Sequence, residues 1–151
     1  MDLVIRNVRL IDGTGANAVP EVSVEVTGSA ISWIGSESSR PKRTVHQEDI
    51  NGQGLTLIPG IIDCHEHFTG DGGTDVMDRL LNDTAEEFTL KAIGNCRRSL
   101  TSGVTTARDV GARFGVNINI AKQTAAGAVF GPRIIASGEW FQYPGTWPAG
   151  L

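Results

Sequence analysis

The sequence predicts an α/β chain in two parts: a strand-only unit over residues 1–58 and alternating strands and helices over residues 59–151. Three observations carry that reading. Apolar residues up to position 58 recur in short runs or at period two, with no helical stripe. From position 61 the order becomes strand, helix, strand, helix, strand, which means parallel βαβ units with right-handed crossovers. Glycine is abundant at 19 residues, which suits a fold with many tight strand-to-helix turns.

Residues 3–11, Leu-Val-Ile-Arg-Asn-Val-Arg-Leu-Ile, read as a strand with one slip in alternation, ended by the turn Asp12-Gly13-Thr14-Gly15. Val22, Val24 and Val26 alternate with Ser23 and Glu25, which predicts a half-buried strand. Thr27-Gly28-Ser29 turns the chain, and Ile31-Ser32-Trp33-Ile34 returns as a hairpin partner. The polar stretch 35–49 is the best linker candidate, and its cluster Arg40, Lys42 and Arg43 reads as a solvated loop. Residues 55–58 form another strand, punctuated by Pro59-Gly60.

Beyond His67 the stretch 69–83 is rich in Gly and Asp and reads as a mobile loop with a short helical turn over 76–81. Thr84-Ala85-Glu86-Glu87 is a capping-box signature. Phe88, Ala92, Ile93, Cys96 and Leu100 follow at helical spacing, and Gly103 stands where a C-terminal cap belongs. Residues 104–110 are β-branched and short, hence a strand. A weaker helix is expected over 117–130, with Gly127 inside it and Gly131-Pro132 ending it. Residues 133–137 form the next strand, and the tail carries Trp140, Phe141, Tyr143 and Trp147.

Composition narrows the function classes. Hydrophobic content of 40% with 20% charged residues fits a globular chain. The net charge of −4 and the lack of a basic stripe argue against a general nucleic-acid or membrane-surface binder. No apolar run approaches the roughly 18 residues of a transmembrane span. Asp2 and Arg6 interrupt any signal-peptide core. Two cysteines, Cys64 and Cys96, make no disulfide framework, so a reducing cytoplasm is the plain expectation.

The chemistry concentrates in Pro59-Gly60-Ile61-Ile62-Asp63-Cys64-His65-Glu66-His67. On a strand, His65 and His67 at i, i+2 share a face, their Cα atoms about 6.6 Å apart. Two nitrogens on one tetrahedral ion sit roughly 3.4 Å apart, within reach of converging side chains. The pair therefore reads as half of a metal site at the end of a buried strand. Cys64 alternates away and is expected to be a packed thiol. Asp63 shares the histidine face by period two. It either orients a ligand from behind or hydrogen-bonds the strand end. Glu66 is expected to face a helix, and Arg108 and Asp109 to form an ion pair or turn cap rather than to catalyse.

The run 57–67 resembles the opening of the barrel in the amidohydrolase superfamily. The stretch 3–13 and the hairpin over 26–35 resemble that family's N-terminal β-sandwich. Ser102-Gly103-Val104-Thr105-Thr106-Ala107-Arg108-Asp109-Val110-Gly111 and Gly131-Pro132-Arg133-Ile134 resemble its second and third βα units, most similar to the imidazolonepropionase-like and Xaa-Pro dipeptidase-like branch. The resemblance implies a partial β-sandwich over 1–58 and, over 59–151, the first three βα units of a (β/α)₈ (TIM) barrel. That stretch is well short of the roughly 250 residues of a whole barrel, so the barrel is expected to be incomplete.

The resemblance also implies that His65 and His67 bind one divalent ion, zinc above all, in a site that holds one or two ions when complete. The family's further ligands are a carboxylated lysine or glutamate of strand four, histidines of strands five and six, and an aspartate of strand eight. None of these is matched here. Lys91 sits in a helical pattern and His46 in the polar stretch.

The implied activity is metal-activated water attacking an amide, lactam or dipeptide C–N bond of a small molecule. Without the missing ligands the chain is expected to be inactive alone. The alternative is a non-catalytic remnant that associates with another chain through an open sheet edge.

Overall fold

The structure is a computed structural model that describes residues 2–41, 48–70, 72–141 and 143. It divides into two compact units, Met1–Pro59 and Gly60–Leu151.

The first unit is a five-stranded mixed sheet. Its strands are β1 (Asp2–Leu10), β2 (Val19–Thr27), β3 (Ala30–Ser36), β4 (Glu48–Asn51) and β5 (Thr56–Leu57). They run in the order β3-β2-β1-β4, with β5 also on β1. The β2–β1 and β2–β3 pairs are antiparallel, whereas β4 and β5 lie parallel to β1. The slip in β1 is a bulge: Asn7 takes φ +60° and the register shifts between Ile5 and Val8. Asparagine tolerates that left-handed conformation better than most residues.

Three expectations fail in this unit. Alternation along β2 predicts wet Ser23 and Glu25, yet both are buried with Val22 and Val24. Their burial is compensated by polar partners. Ser23 Oγ donates to Glu37 at 2.8 Å, and Arg40 reaches Glu25 at 3.3 Å and Glu37 at 2.9 Å. Arg40 is thus an ion-pair member rather than a solvated loop residue. The polar stretch is not a linker either, since it holds a 3-10 turn (Glu37–Ser39) and enters β4. Lys42, Arg43 and His46 lie outside the described residues.

The second unit is a parallel three-stranded sheet in the order β6 (Ile61–Glu66), β7 (Val104–Asp109), β8 (Arg133–Ala136). Helices α1 (Val76–Asn82) and α2 (Ala85–Thr101) connect β6 to β7, and α3 (Val116–Ala125) connects β7 to β8. The capping box is present, with Thr84 and Glu87 bonding each other's backbone N–H groups. Phe88, Ala92 and Cys96 form the buried stripe of α2. They pack with Ala107, Val116, Ile120, Ile134 and Phe68 into one core. Helix α3 ends earlier than predicted: Gly127 takes φ +73° beyond it, so the glycine terminates the helix instead of sitting within it.

Gly60 lies where a Cβ would collide with the side chain of Thr105, so β6 begins in close approach to β7. No helix among the described residues is long and apolar enough to cross a membrane.

Candidate metal centre

The carboxyl end of β6 is not a regular strand. Asp63 pairs with Ala107, but Glu66 pairs with Asp109, so three steps on β6 match two on β7. Ala107 and Asp109 are both buried in the helix-facing row. The extra residue therefore leaves Asp63 and Glu66 in that row and turns His65 and His67, which flank Glu66, to the other. A bulge re-aims side chains in this way. Asp63 consequently does not share the histidine row, which corrects the period-two expectation. Its carboxylate accepts from the backbone N–H of His65 at 2.9 Å, closing the turn that makes the bulge. Glu66 acts likewise on the next residue, accepting from His67 N–H at 3.0 Å.

His65 closes the strand and His67 stands one residue beyond it. Their rings lie 5.4 Å apart, centroid to centroid, at 78°. His67 Nδ1 is 2.8 Å from the carbonyl oxygen of Gly111. A carbonyl only accepts, so Nδ1 carries the proton, and in the neutral form of the ring the lone pair lies on Nε2. This is how protein-held imidazole ligands are commonly oriented. The ring of Trp140 lies 6.0 Å from that of His67 and packs where a Cβ on Gly111 would sit.

A cavity of about 710 Å³ opens beside the pair, walled by Leu80, Phe88, Asn95, Arg98, Trp140 and Phe141 among others. Asn95 donates to the carbonyls of Phe68 and Gly70, holding the loop after His67 against α2. The cysteines divide differently from expectation. Cys64 is exposed rather than packed, because the bulge leaves it in the row away from the helices. Cys96 is buried in α2, and its thiol is pushed up to about 12 by burial and by the charges of Asp109 and Glu66.

Asp109 is the residue the sequence reading undervalued. It is fully buried and accepts from Gly111 N–H, Phe68 N–H and Asn117 Nδ2. A turn-capping role is what the strand-end position predicts. The contact to Phe68 brings the cap to the histidine loop, and no sequence spacing reveals that. Asp109-Val110-Gly111 is the only local signal, an aspartate bonding the N–H two residues on.

The donor set suits an ion in part. Two imidazole rings lie side by side, but the described residues hold no group of three or more His, Cys, Asp or Glu positioned for a metal. His65 and His67 could anchor an ion whose remaining ligands come from elsewhere.

A parallel βα sheet with a histidine pair and a cavity at its carboxyl edge is the arrangement of α/β enzymes, which bind ligands at that edge. The chain belongs to the amidohydrolase family, whose model matches residues 56–144. It is 30% identical over 131 residues to an ochratoxinase of Aspergillus niger, covering 85% of this chain and 26% of that protein. It is 34% identical over 74 residues to an imidazolonepropionase of Aromatoleum aromaticum, covering 47% of this chain and 18% of that one. A solved Xaa-Pro dipeptidase with methionine in its active site superposes with a TM-score of 0.78 at 26% identity, over 92% of this chain and 34% of the dipeptidase. The chain thus spans about a quarter or less of the curated relatives named here.

Proposed function

We propose that this chain is the ion-anchoring N-terminal part of a metal-dependent amidohydrolase that cleaves an amide, lactam or dipeptide C–N bond of a small molecule. The second unit then corresponds to the first three βα units of a (β/α)₈ barrel, and the first unit to part of the family's β-sandwich. His65 and His67 are the metal ligands, and zinc is the favoured ion. Such an ion, when bound, lowers the pKa of a bound water and polarises a carbonyl. The chain's own residues hold the ligand rings: Asp63 fixes the His65 backbone, and Gly111 fixes the His67 ring. The aromatic pair Trp140 and Phe141 borders the cavity where a substrate side chain would lie.

The observation that carries this reading is the spacing of the two rings. An ion about 2.1 Å from each imidazole nitrogen in tetrahedral geometry needs ring centres about 5.3 Å apart. The observed separation is 5.4 Å. Two ligands alone make a weak site, so the isolated chain is expected to bind zinc weakly and to turn over nothing. Titration of the chain with zinc against a chromophoric chelator tests this. Binding should vanish in both His65→Ala and His67→Ala while the far-ultraviolet circular dichroism stays unchanged. Undiminished binding in either variant would overturn the ligand assignment. Hydrolysis of an N-acyl or Xaa-Pro substrate by the chain alone, abolished by His65→Ala, would overturn the claim of inactivity. The two free cysteines agree with a reducing cytoplasm as its setting.

A second reading is favoured by the sheet margin. Among the described residues β6 pairs only with β7, and Ile61 and Ile62 on it are exposed, as is Ile135 on β8. An uncovered apolar edge recruits another chain. On this reading the molecule is a non-catalytic association module.

A further inference from the structure

We propose that Asp109, backed by Asn117, is the positioning residue that fixes the tautomer and placement of His67. The proposal rests on His67 being a metal ligand only in its affinity arm; the tautomer arm stands without it.

The carboxylate is fully buried, and Phe68, Gly111 and Asn117 all donate to it. Oδ2 accepts from the N–H of Phe68 at 3.1 Å, so it grips the chain one residue after His67. Oδ1 accepts from the N–H of Gly111 at 3.0 Å, so it also grips the residue whose carbonyl receives the His67 Nδ1 proton. One side chain thereby sets both the backbone from which the imidazole springs and the acceptor that orients it. Asn117 completes the device. Its Nδ2 donates to Oδ1 at 2.9 Å and to the carbonyl of Gly138 at 2.9 Å. The N–H of Ala112 donates to the same Gly138 carbonyl at 3.0 Å, and the N–H of Ser137 donates to the Asp109 carbonyl at 3.0 Å. The loop ends of β6, β7 and β8 therefore meet at this carboxylate.

A carboxylate is needed because it accepts at both oxygens. In Asp109→Asn one oxygen becomes an NH₂ group facing an N–H donor. Either Phe68 must then shift, which moves the backbone beside His67, or Gly111 must, which moves the carbonyl off the ring. Among the described residues His65 makes no hydrogen bond to this network, its backbone N–H donating to Asp63 instead, and it serves as the internal control.

The test uses the whole chain and long-range ¹H–¹⁵N correlation spectra of the histidine rings at mildly alkaline pH. The wild type should show His67 protonated on Nδ1. Asp109→Asn should keep its far-ultraviolet circular dichroism, mix the His67 tautomers, leave His65 unchanged and weaken zinc binding about 10-fold or more. Asn117→Ala should do the same to a smaller degree, and it substitutes if Asp109→Asn does not fold. A wild-type His67 protonated on Nε2 would overturn the proposal, whatever the variants do. So would folded variants with the wild-type tautomer and zinc affinity. If the tautomer shifts but His67→Ala leaves zinc binding intact, the positioning role stands and the ligand assignment falls.

Discussion

The Nδ1 of His67 and the carbonyl oxygen of Gly111 lie 2.8 Å apart, although 44 residues separate them in the chain. This bond joins the loops after two adjacent parallel strands. It also decides which imidazole nitrogen faces outward. Gly111 serves twice, because Trp140 occupies the space beside its Cα.

Gly111→Ala is therefore expected to be costly. The new methyl would collide with the Trp140 ring, and overpacking of this kind typically costs about 1–3 kcal/mol. Thermal unfolding should show the loss, and zinc binding should weaken in the same variant. A fully stable Gly111→Ala protein with unaltered tryptophan fluorescence would contradict the packing described.

The two thiols should differ sharply in reactivity. Cys64 is exposed and should react with a thiol reagent in the native protein, whereas Cys96 should react only on unfolding. Burial and the nearby carboxylates raise Cys96 from 9.0 to about 12 in the folded state. The folded chain thus keeps a proton that the unfolded chain releases, so stability falls as pH rises through that window. The slope from this group is at most about 1.4 kcal/mol per pH unit. Denaturant titrations of Cys96→Ser and the parent across that range check it: the parent should lose stability more steeply.

Thr84→Ala should destabilise by about 1 kcal/mol, since it removes the side-chain acceptor for Glu87 N–H at the start of α2. Chemical denaturation measures the change, and Thr84→Ser should restore most of it.

If the β6 margin drives association, Ile62→Lys should shift sedimentation toward the monomer at equal concentration. Ile62 is 66% exposed, so the substitution removes an apolar contact surface without opening the core. Identical sedimentation of parent and variant would count against the association reading.

Local signals carried far into the fold. The Thr84–Glu87 pair marks the start of α2, the apolar stripe marks its buried face, and the alternation of strands with helices gives the parallel sheet. The slip at Asn7 is visible as a break in pattern and appears as a bulge. What escaped depends on partners far along the chain. The burial of Ser23 and Glu25 needs Glu37 and Arg40 folded over them. The bulge between Asp63 and Glu66 is set by the β7 register, so a strict period of two misplaces Asp63. Asp109 looks like any strand-end acid until Phe68 and Asn117 are brought to it. The histidine pair was legible because two residues apart is a local spacing; its support was not, because that support comes from other loops.

The contact between Gly60 and Thr105 has a bearing on all of this. Sliding β6 one notch along β7 would press the branched side chain of Ile61 into Thr105. Such a slip would also exchange the two rows of β6 side chains and swing both imidazoles toward the helices. The missing side chain at position 60 thus acts as an alignment key: it favours the seating in which the histidines point away from the helices.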